Sequence, residues 1–290
     1  MREIEVFQVD AFTEEPFTGN PAGVVIDGGE LPRDLRQRIA REMNCSETAF
    51  VVQYERDRFR FQYHTPEAEV DLCGHATIAA LHLLRERQDI IGDIVVETRA
   101  GLLPMRIDEK GPVWMRQAEP KFRDVPDDAR RALLAALAME EGDLADELPF
   151  ALASTGIWQV MVPIKSRDRL FALAPDQLRL REVSRSLGAI CVHVYALDPA
   201  EAPAVAVARD FAPAVGVAED PHTGTAAGAL ASLLVDRGIV AAERELAFEQ
   251  GANLGRPGLI LARVEAGPPM RTWVGGHAVT MLRGEMRVAK

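Results

Sequence analysis

The chain has 290 residues, of which 48% are hydrophobic and 27% are charged, a balance typical of a globular protein. Its formal net charge of −11 argues against nucleic acid and against an anionic membrane as partners. The sequence has no apolar run of the roughly 20 residues that a membrane helix needs, and its three cysteines lack metal-binding spacing. We therefore expect a cytoplasmic protein that has neither structural disulfides nor a bound metal.

In chain order, the first predicted elements are strands and one covering helix. Residues 3–12 alternate as a strand does, and the turn Gly19-Asn20-Pro21 leads into a second strand. Apolar residues recur every four positions between 31 and 43, which indicates an amphipathic helix. Residues 46–52 form the next predicted strand. Glu47 beside its apolar run either faces solvent or lies in a pocket as a general acid or base.

Two similar helix starts follow, 150 residues apart. The stretch 71–84 opens with an acid, a thiol, a glycine and an imidazole before an apolar helical pattern, and 220–234 repeats this design. A glycine at a helix start lets the first N–H groups approach a ligand, and these groups favour an anion. Seven of 29 positions are identical between 73–101 and 223–251. We interpret this similarity as a two-fold pseudo-repeat, against the alternative of chance similarity between two alanine-rich helices.

The second half of the chain continues the mixture of strands and helices. The segment 119–126 carries two prolines among charged residues and is the best candidate for a linker, and a helix is predicted after it. The strands predicted beyond it are 148–153, 158–163, 189–197, 203–211, 246–248, 259–264, 272–274 and 279–286. Helices and mostly antiparallel strands mixed in this way predict an α+β fold. We expect an N-terminal domain at 1–118 and a C-terminal domain at 127–279, with 280–290 returning to the first.

Several motifs resemble those of the phenazine-biosynthesis PhzF-like family, in the expected order along nearly the whole chain. They are Gly19-Asn20-Pro21-Ala22-Gly23-Val24, Ser46-Glu47-Thr48-Ala49-Phe50, Cys73-Gly74-His75-Ala76-Thr77, Asp220-Pro221-His222-Thr223-Gly224-Thr225-Ala226-Ala227, Gln250-Gly251, Gly255-Arg256-Pro257-Gly258 and Val274-Gly275-Gly276-His277-Ala278-Val279. The resemblance implies the diaminopimelate-epimerase fold, in which two pseudo-symmetric domains each curl a mostly antiparallel sheet around a central helix. It also implies an active site in the cleft between the domains, and isomerases or epimerases that use no cofactor and are commonly homodimers.

The resemblance also assigns the site. It implies catalytic roles for Glu47, His75, Asp220 and Thr225, with Glu47 as the carboxylate that shuttles the proton. It implies that Gly74 and Gly224, with the N–H groups after them, bind the substrate carboxylate. Two further binding candidates are Asn20, for which turn chemistry is the alternative explanation, and His222, for which a purely structural role is the alternative. Thr225 stands where the phenazine isomerase typically has serine, so the hydroxyl is kept and a methyl narrows the pocket. We expect a small carboxylate-bearing substrate whose developing charge is stabilised by N–H donors, without a cofactor or metal.

Cys73 supports an alternative. Amino-acid racemases of the same fold use two facing cysteines, and Cys73 falls on the first such position, but the repeat places Thr223 at the second. Threonine supplies no thiolate, so a two-thiol racemase is disfavoured. Two alternatives stay open: a racemase or dehydratase that uses the single thiol of Cys73, and a small-molecule-binding protein of this fold that has no catalytic activity.

Overall fold

The computed structural model describes residues 2–26, 28–55, 57–200 and 203–288. The chain divides into two compact units. Unit 1 consists of Met1–Arg116 and Gly275–Lys290, and unit 2 consists of Gln117–Val274. Among the helices of the described segments, none combines the length and the apolar character that a membrane crossing requires.

Strands outnumber helices along the chain. The strands are β1 (Arg2–Ala11), β2 (Asn20–Val25), β3 (Thr48–Glu55), β4 (Arg58–His64), β5 (Glu69–Val70), β6 (Gly92–Thr98), β7 (Gly101–Ile107), β8 (Val113–Arg116), β9 (Lys121–Asp124), β10 (Ala151–Ser154), β11 (Trp158–Pro163), β12 (Cys191–Ala196), β13 (Ala204–Ala212), β14 (Val217–Asp220), β15 (Glu245–Gln250), β16 (Gly258–Glu265), β17 (Arg271–Gly276) and β18 (Ala278–Val288). The α-helices are α1 (Arg33–Met43), α2 (Gly74–Gln88), α3 (Asp127–Ala136), α4 (Arg167–Phe171), α5 (Gln177–Ser186) and α6 (Gly224–Asp236).

Unit 1 is a sheet that surrounds α2. β1 pairs antiparallel with β2 and β18, and β6, β7 and β8 pair antiparallel in succession. The helix contacts β1, β2, β3, β7, β8 and β18, and it is buried on all sides from His75 to Leu84. Small residues such as Ala76 and Ala79 let the strands approach the helix closely, which is why an apolar helix without a polar face is stable here. The amphipathic α1 covers the outer face of the sheet around Phe50.

Unit 2 surrounds α6 in the same manner. The helix contacts β10, β11 and β16, and all of its residues from Ala226 to Leu234 are buried. Gly228 is in the middle of this helix because a Cβ there would lie 2.6 Å from Val274 Cγ2. A second apolar cluster on the other face of the sheet joins α3 and α5 to the strands through residues such as Leu133 and Leu180.

The two units repeat one order of strand pairing. In unit 1, β2 runs parallel to β3, β3 antiparallel to β4, β4 antiparallel to β5 and parallel to β6, and β6 antiparallel to β7. In unit 2, β11, β12, β13, β14, β15 and β16 follow the same order with the same directions. The central helix follows β5 in one unit and β14 in the other. The predicted α+β fold with two pseudo-symmetric halves is confirmed.

The strand registers align individual residues of the two units. Tyr63 lies opposite Ala49 and Val70 in unit 1. Asp210 lies opposite His193 and Asp220 in unit 2. The repeat therefore aligns Ala49 with His193, Tyr63 with Asp210 and Val70 with Asp220.

One predicted segment was wrong. Residues 119–126 were expected to form a linker, but they contain β9, which pairs antiparallel with β10. The two prolines flank the strand instead of interrupting it, so they remove none of the N–H donors that the pairing with β10 needs.

Candidate active site

Glu47 and His75 lie together at the start of α2 in unit 1. Glu47 immediately precedes β3, and its backbone oxygen accepts a hydrogen bond from Gly23 N–H at 3.0 Å. This bond ties it to β2. Its Oε2 lies 3.4 Å from His75 Nε2; the Glu47 side chain is 22% exposed and that of His75 only 8%. The carboxylate is therefore accessible to a ligand, while the imidazole is buried beside it.

Two further side chains contact the His75 ring. Ser46 Oγ lies 3.2 Å from Nε2, and Cys73 Sγ lies 3.4 Å from Nδ1. Burial lowers the pKa of His75 from its ordinary value of 6.5, and the nearby Glu47 carboxylate opposes this shift only in part. The ring is then neutral near pH 7, with one nitrogen as donor and the other as acceptor. These contacts are all satisfied if the Cys73 thiol donates to Nδ1 and Nε2–H is directed at Ser46 and Glu47.

The start of α2 is open to an anion. Cys73 is the N-cap residue, with extended backbone and no side-chain hydrogen bond to the helix, and the first turn carries no acid. A helix start leaves N–H groups without partners inside the helix, and these groups attract negative charge. A Cβ at Gly74 would meet only Met115 Cε at 3.5 Å, an ordinary contact. Packing therefore does not demand glycine there, and access to the N–H groups is the remaining reason for it.

In unit 2, Asp220 is the last residue of β14 and belongs to a hydrogen-bonded network. Thr223 Oγ1 donates to Asp220 Oδ2 at 2.6 Å. The Gln250 side chain bridges the same loop, since its Nε2 donates to the backbone oxygen of Asp220 at 2.9 Å and its Oε1 accepts from Thr223 N–H at 3.2 Å. These bonds hold the Asp220 carboxylate in one orientation at the start of α6.

Gly224 and Thr225 form the first turn of α6. Thr223 is the N-cap residue of this helix, but its hydroxyl is directed at Asp220 instead of the helix backbone. Thr225 is half-buried, and its carbonyl oxygen accepts a hydrogen bond from Thr155 Oγ1 at 3.1 Å. The second helix start therefore also presents N–H groups that its cap does not occupy.

The other two predicted binding residues, Asn20 and His222, are buried. His222 is 1% exposed and packs under Gly251, where a Cβ would lie 2.8 Å from His222 Cε1. Asn20 opens β2 in unit 1 and is also buried. Their contact with a substrate stays a prediction. The structure thus gathers Glu47, Gly74 and His75 around one helix start, and Asp220, Gly224 and Thr225 around the other.

Three residues of these networks were not predicted from the sequence. Ser46 contacts His75, Thr223 binds Asp220, and Gln250 bridges the loop. Ser46 stands next to Glu47, and Gln250 stands in the Gln250-Gly251 motif, so sequence position was a signal for both. Thr223 was considered only as a missing thiol, although a hydroxyl three residues after an aspartate is a frequent partner in local turns.

Comparison with known proteins identifies the family. Residues 9–284 match the family model described as phenazine biosynthesis-like protein. The chain belongs to this family. A relative from Deinococcus radiodurans, named an uncharacterized isomerase, is 42% identical over 267 residues, which cover 89% of this chain and 86% of the relative. One from Bacillus subtilis, with the same description, is 35% identical over 286 residues, covering 96% and 97%. The family resemblance and the isomerase class are thereby confirmed.

Solved structures of the family have the same fold. The crystal structure of a phenazine biosynthesis protein of the PhzF family from Bacillus anthracis covers 99% of this chain and 100% of its own, with 32% identity and a TM-score of 0.91. The structure of a predicted epimerase from Pseudomonas aeruginosa covers 99% of this chain and 100% of its own, with 25% identity and a TM-score of 0.82. A probable proline racemase from Agrobacterium radiobacter, at 14% identity and a TM-score of 0.65, shares the fold.

Proposed function

We propose that this family member moves a proton on a small carboxylate-bearing substrate, as an isomerase or epimerase, with Glu47 as both base and acid and without a cofactor. The observation that carries the proposal is the half-buried Glu47 carboxylate, 3.4 Å from a buried neutral His75 at an open helix start. A carboxylate in this position can take a proton from one carbon and return it to another carbon of the same substrate.

The proposed reaction balances without an oxidant or reductant. Glu47 removes a proton from a C–H bond next to the substrate's unsaturated or carboxyl group, and the electron pair moves into that group. The resulting negative charge is stabilised by N–H groups of the helix start and by His75 Nε2–H. The Glu47 carboxylic acid then donates its proton back, which forms the new C–H bond. Asp220 and Thr225, with the N–H groups beside Gly224, are proposed to bind polar groups of the substrate.

Deuterium exchange tests this role of Glu47. A set of small carboxylates is first screened for ligands that raise the unfolding temperature, because a ligand of the native state stabilises it. Each such ligand is then incubated with enzyme in D₂O, and loss of its C–H signal is followed by NMR. Glu47→Gln should slow exchange by about 10²- to 10⁴-fold, the usual contribution of a general acid or base, while the thermal shift by the ligand is retained.

Glu97→Gln is the matched control. Glu97 is a partly exposed glutamate of the same unit, with a side chain that is 30% exposed and paired with Arg58 and Arg60. This variant should exchange at the wild-type rate. Wild-type exchange in Glu47→Gln would refute the role of Glu47. No exchange of any ligand that binds the wild-type protein would favour the binding protein without catalytic activity.

A second candidate function uses the thiol of Cys73. The observation in its favour is the 3.4 Å contact between Cys73 Sγ and His75 Nδ1 at a helix start, since an imidazole in this position can accept the proton of the thiol. Cys73→Ser distinguishes the two mechanisms in the same exchange assay. A rate close to wild type supports Glu47, whereas a collapse of the rate with Glu47→Gln still active supports a racemase or dehydratase that works through one thiol.

We further propose a cytoplasmic homodimer, as the family resemblance implies. Light scattering coupled to size-exclusion chromatography measures the mass in solution. A mass of twice the 31.8 kDa chain supports the dimer, and a mass of one chain refutes it.

A further inference from the structure

The groups around His75 have a second chemical property. One donor atom each from Glu47, Cys73 and His75 lies within 4.8 Å of the other two, and no other group of three or more such residues is found in the described part of the chain. Glu47 comes from the loop before β3, whereas Cys73 and His75 come from the start of α2. The fold therefore brings the Glu47 carboxylate to a thiol and an imidazole that come from a later element of the chain.

The distances are close to those of a tetrahedral metal site. Zinc binds sulfur at about 2.3 Å and nitrogen or oxygen at about 2.0–2.2 Å, so neighbouring donors around it are separated by about 3.2–3.7 Å. His75 Nε2 lies 3.4 Å from Glu47 Oε2 and 3.9 Å from Cys73 Sγ. All three donor atoms lie within 4.8 Å of one another, which is at most about 1 Å beyond the donor separations of a tetrahedral zinc site.

The donor set also selects the kind of ion. Thiolate and imidazole are ligands for zinc-like transition metals, whereas magnesium and calcium are bound by oxygen atoms. Three protein ligands leave a fourth position of the tetrahedron for water or another small ligand. The 22% exposure of Glu47 provides a route for the ion, since Cys73 and His75 are themselves buried.

We propose that Glu47, Cys73 and His75 form a binding site for a thiophilic divalent cation of the Zn²⁺ type, and that the bound ion inhibits the enzyme. On binding, the Cys73 S–H proton passes to His75 Nδ1, 3.4 Å away, the Nε2–H proton passes to solvent, and metal–sulfur and metal–nitrogen bonds form, so that one proton is released with no change of oxidation state. The ion also occupies Glu47 Oε2 and His75 Nε2. Inhibition rests on the proposed role of Glu47 as the base, but binding of the ion does not.

Cobalt provides a direct test of the site. Reduced protein that has been treated with a chelator and desalted is titrated with Co²⁺, and the near-ultraviolet absorption from thiolate-to-cobalt charge transfer is recorded. One equivalent of Co²⁺ should saturate this band, and Zn²⁺ should then displace it. Absence of the band in wild-type protein whose Cys73 is reduced would overturn the proposal.

Variants assign the ligands. Cys73→Ser should abolish the band, and Glu47→Gln should weaken Zn²⁺ binding at least tenfold in a competition titration. Cys45→Ser is the matched control, because Cys45 is another buried thiol of unit 1 whose pKa burial raises to about 11. It should leave the band and the affinity unchanged. A band that survives in Cys73→Ser, or disappears in Cys45→Ser, would refute the assignment.

The result can be separated from the proposed function. The titrations need no substrate, so they test the metal site even if Glu47 is not the base. Loss of exchange in Glu47→Gln together with no cobalt band supports the function and refutes the site. Once a substrate is known, Zn²⁺ at saturating concentration should stop exchange, and a chelator should restore it.

Discussion

The two helix starts share a backbone design but differ in how their side chains are held. At α2, Glu47 and Cys73 both contact His75, and the Glu47 carboxylate stays partly exposed. At α6, Thr223 donates to the Asp220 carboxylate, and Gln250 ties down the surrounding backbone. The first arrangement leaves a carboxylate available to exchange a proton, and the second holds a carboxylate in place. One topology therefore carries two kinds of polar network.

The two units also differ in the side chains at the strand positions that the repeat aligns. Where unit 1 has Ala49 and Tyr63, unit 2 has the buried pair of His193 Nδ1 and Asp210 Oδ1 at 2.9 Å. By the same alignment Glu47 corresponds to Cys191, whose thiol has its pKa raised by burial and further by Asp210 and Asp220. In unit 2 the His193–Asp210 pair is therefore buried, whereas in unit 1 the Glu47 carboxylate is partly exposed.

The largest difference in the stability cost of a substitution should appear at the aligned positions Asp210 of unit 2 and Tyr63 of unit 1. Asp210→Ala removes the hydrogen-bond partner of a histidine that is 1% exposed; the unpaired buried group and the space left in the core should together cost about 3–5 kcal/mol. Tyr63→Phe removes one hydrogen bond to Thr77 Oγ1, at 2.6 Å, and should cost about 1 kcal/mol. Thr77 keeps its bond to the Cys73 carbonyl oxygen. Urea unfolding of both variants measures these costs. Equal losses of unfolding free energy would contradict the predicted difference between Asp210 and Tyr63.

The next effect should come from Gly251, which shapes the loop over His222. Its φ is +84°, and a Cβ there would lie 2.3 Å from the Arg256 carbonyl oxygen. Gly251→Ala should therefore cost about 2–4 kcal/mol, from left-handed backbone and from crowding together. Gly216→Ala is the matched control, since its φ is +87° with no atom within 4 Å. It should cost only about 1 kcal/mol in the same urea experiment. Similar losses for both would mean that the loop relaxes around the new methyl group.

A smaller effect is expected at the bond that holds Asp220. Thr223→Val keeps the side-chain shape but removes the hydroxyl that donates to Asp220 Oδ2. The loss of a hydrogen bond to a carboxylate should cost about 1.5–3 kcal/mol. A double-mutant cycle with Asp220→Asn, measured by chemical unfolding, isolates this coupling. Additive effects of the two substitutions would show that the bond contributes nothing to stability.

The smallest effect for a single group is a pH dependence that arises in unit 1. Burial lowers the pKa values of His64, His75 and His82 from the ordinary value of 6.5. Below about pH 6.5 the unfolded chain takes up protons that the folded chain does not, so stability should fall as the pH falls and recover above that value. Each histidine contributes at most about 1.4 kcal/mol per pH unit.

Unfolding free energies measured between about pH 5.5 and about pH 7.5 check this dependence. His75→Asn should reduce the fall on acidification, because it removes one of the three buried imidazoles. An unchanged slope in this variant would show that His75 takes up its proton as readily in the folded chain as in the unfolded one.

Much of the fold follows from local pattern. The alternation in 3–12, the four-residue period from 31 to 43 and the apolar stretches after Gly74 and Gly224 predict β1, α1, α2 and α6, because strand and helix periodicity are properties of neighbouring residues. The pseudo-repeat was visible for the same reason. The strand β9 was missed because its partner β10 lies some 30 residues away, and proline signals within 119–126 outweighed the short strand pattern.

For the site, the sequence by itself determined which residue types stand at the two helix starts and, through the family motifs, that Glu47 is the carboxylate to test. Only the tertiary structure decided what these residues touch. Ser46 and Glu47 meet His75 because β3 and α2 pack together in unit 1, and Gln250 reaches Asp220 and Thr223 because β15 runs beside β13. Such contacts join residues that are distant in the chain, so no local period or spacing encodes them. Burial, which lowers the pKa of His75, is likewise a property of the packed protein.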